Sequence, residues 1–197
     1  MYALYYEGDY RNYSFRPHVD MEKRIELAGG KDKFLAMLDD FFAVDYSTDK
    51  PFVREERPGY FEAMNNETDM ETPYTYLWCG RSDRLALILD TIRRFHYTDG
   101  EGGAPGNVDS GALTSWYIWA CLGIYPLTGS DFYLMGSPSV TEATLRMTHG
   151  KLHITVQRDD PKSIVPCAVE FKGKKLAEMR IPVKDLEQGG ELKFYLK

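Results

Sequence analysis

Apolar residues recur at steps of three and four as far as about Leu127, and beyond it they alternate with polar ones in short runs. The first texture predicts helices and the second strands. One helix is expected from Asp20, a candidate cap, with Ile25 and Ala28 turned inward and Gly29-Gly30 at its end. From Lys31 onward, Phe34, Leu35, Leu38, Phe41 and Phe42 draw a second apolar stripe. A third helix is expected from Pro73, which suits a first turn, to Gly80. Ser82 caps a fourth, with Leu85, Ile88, Leu89, Ile92 and Phe95 along one face. The fifth sets Leu113, Trp116, Tyr117, Ala120 and Ile124 on one side and stops at Pro126.

After Leu127 the runs "DFYLMGS", "ATLRMT", "KLHITVQ", "CAVEFKGKKL", "MRIPV" and "ELKFYLK" are separated by Gly, Asp and Pro, which predicts a small antiparallel β region. The pattern thus divides the chain into a helical part, residues 1–127, and a β-rich part, residues 128–197, an α+β organisation. No repeat, low-complexity stretch or long flexible linker separates them, so they are expected to pack on each other.

The chain has 197 residues, 43% of them hydrophobic and 14% aromatic, enough to bury a core. Its net charge of -6 is spread along the sequence, which argues against a nucleic-acid partner. No apolar run approaches the roughly 20 residues that cross a bilayer, and the start lacks the regions of a signal peptide. Met1 opens directly into aromatic and acidic residues, as an internal stretch would, so a piece of a longer chain is expected. Cys79, Cys121 and Cys167 are far apart and form no CxxC pair, so they are expected to be reduced and buried. Asn12-Tyr13-Ser14 and Asn66-Glu67-Thr68 are sequons that matter only in a eukaryotic secretory setting.

Candidate chemistry begins at Asp109, at the mouth of the fifth helix in "GGAPGNVDSGALTSWYIWACLGIYPL". Asp109 or Ser110 has a plain role available as the helix cap. The glycines and proline ahead and the aromatic residues Trp116, Tyr117 and Trp119 behind also suit the wall of a pocket. A helix N-terminus favours an ionised carboxylate, the state a general base needs. Glu7 reads either as a surface residue near the turn at Gly8 or, among Tyr5, Tyr6, Tyr10 and Tyr13, as a desolvated acid suited to giving up a proton. Asn65, Asn66 and Glu67 offer oxygens to a hard cation such as calcium and equally serve turns and caps. His149 and His153 flank a hairpin turn and read as two exposed histidines. The "GEGGAPG" loop lacks the third glycine and the lysine of nucleotide-binding loops.

Taken in order, "YYEGDYRNYSFRPHVDMEKRIELAGGKDKF", "NNETDMETPYTYLW" and "GGAPGNVDSGALTSWYIWACLGIYPLTGSDFYLMGSPSVTEATL" resemble the C-terminal part of a bacterial family 92 glycoside hydrolase, the calcium-dependent exo-acting α-mannosidases. The likeness runs from Tyr5 to "GGELKFYLK". It implies an inverting glycosidase on an (α/α)6 barrel beside a β-sandwich, of which the five helices here would be less than half the ring. In an inverting enzyme one carboxylic acid protonates the leaving oxygen and a carboxylate about 6.5–9.5 Å away activates water. By this resemblance Glu7 matches the general acid in Tyr-x-Glu-Gly and Asp109 the general base. Asn107, two before it, stands where an acidic residue is common and would assist the base by orienting water. Asn66 and Glu67 match an Asn-Glu segment that binds sugar or calcium, and Trp116 is expected to contact substrate.

Two departures leave the linkage open: Arg11-Asn12 replaces Trp-Gln, and Met64-Asn65 stands where a histidine is frequent in α-1,2-specific members. The implied partners are a mannose-containing glycan and the missing N-terminal region of the same parent, in the periplasm or secreted. Helices without their neighbours are expected to expose apolar faces, and the isolated piece to be inactive. Two other readings stay open: a carbohydrate-binding or structural module without catalysis, and an (α/α)6 glycosidase acting on another sugar.

Overall fold

The computed structural model describes residues 5, 10–17, 20–44, 64, 66–106 and 108–197. The chain divides into two compact units, Met1–Arg81 with Thr91–Trp116, and Ser82–Asp90 with Tyr117–Lys197. The fold is α+β, with helices through Leu122 and strands from Ile124 onward.

In the first unit, helix α1 (Tyr10–Phe15) is followed by α2 (Met21–Leu27) and α3 (Lys31–Phe41). Asp20 caps α2 as its sequence position predicts, accepting from the Lys23 amide at 2.9 Å. The α3 stripe is the core of this unit. Phe34, Leu38, Phe41 and Phe42 are buried, and rings interlock from Phe15 to Phe41 at 5.1 Å, Phe41 to Phe42 at 5.0 Å and Phe42 to Tyr76 at 5.8 Å. The Pro73 segment is a 3-10 helix, Thr72–Cys79, rather than an α-helix. Five consecutive buried residues, Thr72 to Tyr76, give it no polar face to lay against solvent.

Helix α4 (Ser82–Phe95) buries Leu85, Ile88, Leu89 and Ile92 as expected. Arg81, not Ser82, stands at its cap position, without a side-chain bond, and Phe95 lies beyond the stripe at 45% exposure. Helix α5 (Ala112–Leu122) ends earlier than predicted. Gly123, at φ +74, turns the chain out of the helix, and a Cβ there would stand 2.7 Å from Cδ of Pro138. Ile124 therefore opens a strand instead of closing the helical stripe. Some apolar side chains are exposed on the helices, among them Leu27 at 77% and Ile118 at 55%.

The second unit holds two sheets. One orders β1 (Ile124–Pro126), β2 (Phe132–Met135) and β7 (Arg180–Pro182), all antiparallel. The other runs β3-β4-β8-β5-β6, from Glu142–Arg146, Lys151–Arg158, Gly190–Leu196, Pro166–Phe171 and Lys174–Lys175. It is mixed, which corrects the antiparallel expectation: β8 pairs parallel with β4, from Leu152 opposite Gly190 to Arg158 opposite Leu196. The long excursion through β5, β6, β7 and the short helix α6 (Val183–Leu186) returns the chain in the direction a parallel pair requires. Leu152, Ile154, Val169, Leu192, Phe194 and Leu196 alternate into a common core with Ile124, Met135, Ile181 and Leu186.

All three cysteines are free, as predicted, but they are not interior: Cys167 is exposed and the others half-buried. His149 is exposed in the β3–β4 turn, whereas His153 is half-buried on β4, its Nδ1 3.1 Å from the Thr144 hydroxyl across the ladder.

Candidate functional site

Asp109 opens a 3-10 turn, Asp109–Gly111, directly ahead of α5. Val108 occupies the cap position of that turn and no side chain caps it, so the simple capping role is not the one Asp109 takes. Ser110 sits at φ 53, ψ 22, left-handed backbone that a non-glycine residue enters only under constraint. The Asp109 side chain is exposed, and its carboxylate makes no hydrogen bond among the described residues.

A segment 42 positions earlier meets this turn. Glu67 Oε1 accepts from the Asp109 amide at 3.3 Å, bringing two motifs separated in the sequence to one place. Glu67 is the first residue of its own 3-10 turn, Glu67–Asp69, whose cap is Asn66. Asn66 Oδ1 accepts from the Glu67 amide at 2.7 Å, and the Asp69 and Met70 amides close the turn on the carbonyls of Asn66 and Glu67. Glu67 is half-buried and Asn66 buried.

Behind this pair stands Trp116. Its indole is wholly buried, its Nε1 donates to the Met70 carbonyl at 2.8 Å, and Tyr97 stacks on it at 6.0 Å with the rings 11° apart. Tyr97 in turn donates its hydroxyl to the Leu113 carbonyl at 2.8 Å. Trp116 thus offers no open ring face in this structure: its indole is wholly buried, with Tyr97 stacked on it.

The Glu67 turn is also tied to α1. Asn12 Nδ2 donates to Asp69 Oδ1 at 2.7 Å, Arg16 pairs with Glu71 at 3.0 Å, and Thr75 donates its hydroxyl to the Phe15 carbonyl at 2.7 Å. Asp69 and Glu71 are buried, and charged groups at such depth need these donors. Both sequon asparagines, Asn12 and Asn66, are buried and hydrogen-bonded, so neither side chain is presented for modification. None of these links was anticipated. The only sequence signal was the density of Asn, Asp, Glu and Thr in "NNETDMETPYTY".

Glu7 and Asn107 lie outside the described residues. Among those described, no group of three His, Cys, Asp or Glu side chains gathers as a metal site, and no helix is long and apolar enough to cross a membrane. A separate groove of about 500 Å³ opens along α1–α3 beside Tyr10, Arg24, Met37 and Phe41, and Glu67 and Asp109 do not line it.

This arrangement can be set beside known proteins. The glycosyl hydrolase family 92 catalytic domain matches residues 2–197. An uncharacterised secreted glycosidase of Arthroderma benhamiae is 31% identical over 134 residues, 68% of this chain and 15% of its own length. The family 92 α-mannosidase of Bacteroides thetaiotaomicron, solved in complex with mannoimidazole, superposes with a TM-score of 0.80 at 26% identity, over 97% of this chain and 25% of its own. A family 92 inverting mannosidase of the same organism shares the fold, with a TM-score of 0.80 at 24% identity over 98% and 28%. The chain therefore spans about a quarter of the solved structures it matches. A match across essentially every residue makes the conclusion plain: the chain belongs to glycosyl hydrolase family 92, a family of glycoside hydrolases.

Proposed function

We propose that this chain carries the acid, the base and part of the sugar-binding wall of an inverting exo-α-mannosidase. Asp109 is the general base that takes a proton from the attacking water, and Asn107 beside it orients that water. Glu7 is the general acid that protonates the departing glycosidic oxygen from the opposite face. Asn66 and Glu67 bind the mannose hydroxyls. The observation that carries this reading is the contact of Glu67 Oε1 with the Asp109 amide, which brings the half-buried Glu67 carboxylate to the backbone of the residue whose own carboxylate is exposed. The enclosed indole of Trp116 cannot stack on a sugar, so a stacking module would have to use another ring.

Calcium fits the chemistry of this wall. Glu67 and Asn66 supply hard oxygens, and Glu67 is the stronger ligand because Asn66 Oδ1 already accepts the Glu67 amide. Calcium takes about six to eight oxygens, so water, sugar hydroxyls and residues outside the described set would complete the shell. When bound, the ion would polarise sugar hydroxyls and favour a distorted ring.

In this reading the helices are part of an (α/α)6 barrel. The remainder of the barrel and an N-terminal β-sandwich complete the leaving-group subsite, and the protein acts on mannose-containing glycans in the periplasm or outside the cell. Secretion of the Arthroderma relative is consistent with that placement.

The test is mannose release from an aryl α-mannoside by the protein in which this chain occurs, with the product anomer followed by NMR and the assay repeated with a chelator. β-Mannose should appear first, chelation should stop it, and Asp109→Asn should abolish it. Asp109→Asn should also leave stability within about 0.5 kcal/mol, because the carboxylate is exposed. Chelator-resistant release, or release by Asp109→Asn at the parental rate, would sink the reading.

A further inference from the structure

The bond from the Asp109 amide to Glu67 is 3.3 Å long and exposed, so water competes for both partners. A second link between the same two segments lies beneath it, in the interior. Trp116, one turn into α5, donates its indole N–H to the carbonyl of Met70, the residue whose own amide closes the Glu67 turn. The indole cannot swing aside, because it is wholly buried and stacked on Tyr97, whose hydroxyl holds the Leu113 carbonyl one turn before it. Two helical elements joined at a buried point and at a surface point keep their mutual angle, whereas a single surface bond leaves them free to part.

We infer that Trp116 is a positioning residue: its N–H to Met70 holds the Glu67 carboxylate against the Asp109 amide and fixes where the Asp109 side chain stands. The indole does this from inside and does not touch the sugar. The geometric part is independent of the reading above, and only its effect on turnover rests on that reading.

Trp116→Phe keeps an aromatic ring for Tyr97 to stack on and removes the donor. Hydrogen exchange followed by NMR on the chain should show the Asp109 amide exchanging about tenfold faster in this variant. The amides of Val169 and Phe194 on the β5–β8 ladder, in the second unit, should be unchanged. In a Glu67→Ala background, where the surface bond is already gone, Trp116→Phe should add less than about twofold at Asp109, because the two links act in series. Unchanged exchange at Asp109, acceleration spread equally to Phe194, or additive effects in the double variant would each overturn the inference.

In a protein that releases mannose, kcat should fall about tenfold because Asp109 is displaced, and KM should rise with it because Glu67, which holds the mannose hydroxyls, moves too. An unchanged kcat would overturn the inference. Absence of mannose release from every form would count against the proposed function, while the exchange experiment would still decide this one.

Discussion

Gly103 has no room for a side chain. A Cβ there would lie 2.1 Å from the Thr98 carbonyl oxygen, and the same oxygen's residue donates its amide to the Gly103 carbonyl at 2.9 Å, so neither side of the loop can give way. Gly103→Ala should therefore cost about 1–3 kcal/mol, read as a lower urea midpoint with an unchanged slope. The cysteines differ in reactivity for a different physical reason. Burial pushes the Cys79 thiol above its usual range, with smaller opposing effects from Lys31 and Arg81, while Cys167 is exposed. Iodoacetamide at pH 8 should label Cys167 first and Cys79 last, as peptide mass spectrometry would show. Because the folded-state value of Cys79 is raised, its contribution to stability is present below the unfolded thiol's titration and is lost as pH rises from there through the raised folded-state value. Single-residue chemistry was partly legible in the sequence. Asp20 as a cap follows from its place before an apolar stripe. Whether Trp116 lines a cleft or fills one does not, because an aromatic residue behind a glycine loop has the same spelling in both roles.

Helices with apolar stripes were readable because burial and periodicity are the same information: Phe34, Leu38 and Phe41 must share a face on any helix. Helix α1 was not. "YRNYSF" has no stripe, and a helix of six residues does not persist on its own propensity. It is held by Asn12 to Asp69 and Arg16 to Glu71, partners 57 and 55 positions away, which no local pattern encodes. Arg24 adds to this by donating to the carbonyls of Ser14 and Arg16 at its C-terminal end. Asn12→Ala removes a buried donor to a carboxylate and should destabilise the first unit by about 1.5–3 kcal/mol. Far-UV circular dichroism during guanidinium unfolding would measure it. A change under 0.5 kcal/mol would mean that α1 is held mainly by Arg16 and Thr75. The same distance problem hid the candidate site. The Asp109 and Glu67 motifs were each visible, and only the resemblance to a family connected them, whereas the fold sets Glu67 Oε1 3.3 Å from the Asp109 amide.

For the molecule as a whole, period-two patterns located the strands but not their partners. Alternation states which face of a strand is apolar and is silent about direction, so the parallel pairing of β4 with β8 could not be read from it. Phe194 sits at the centre of that arrangement, opposite Val156 on one side and Val169 on the other, and is wholly buried. Phe194→Ala should cost about 3–5 kcal/mol and lower the melting temperature of the second unit more than any helix-surface change. Differential scanning calorimetry would separate this from a local effect, and a loss below about 1 kcal/mol would show that the sheet closes over the gap.

The central place of β8 also governs how the chain must be made. Its neighbours β4 and β5 leave the ribosome first, paired outward with β3 and β6, and each keeps an unmatched inner edge until residues 190–196 follow. The newborn sheet cannot zip up in the order in which it is translated, so the interval before β8 arrives is when this protein most needs a chaperone's cover.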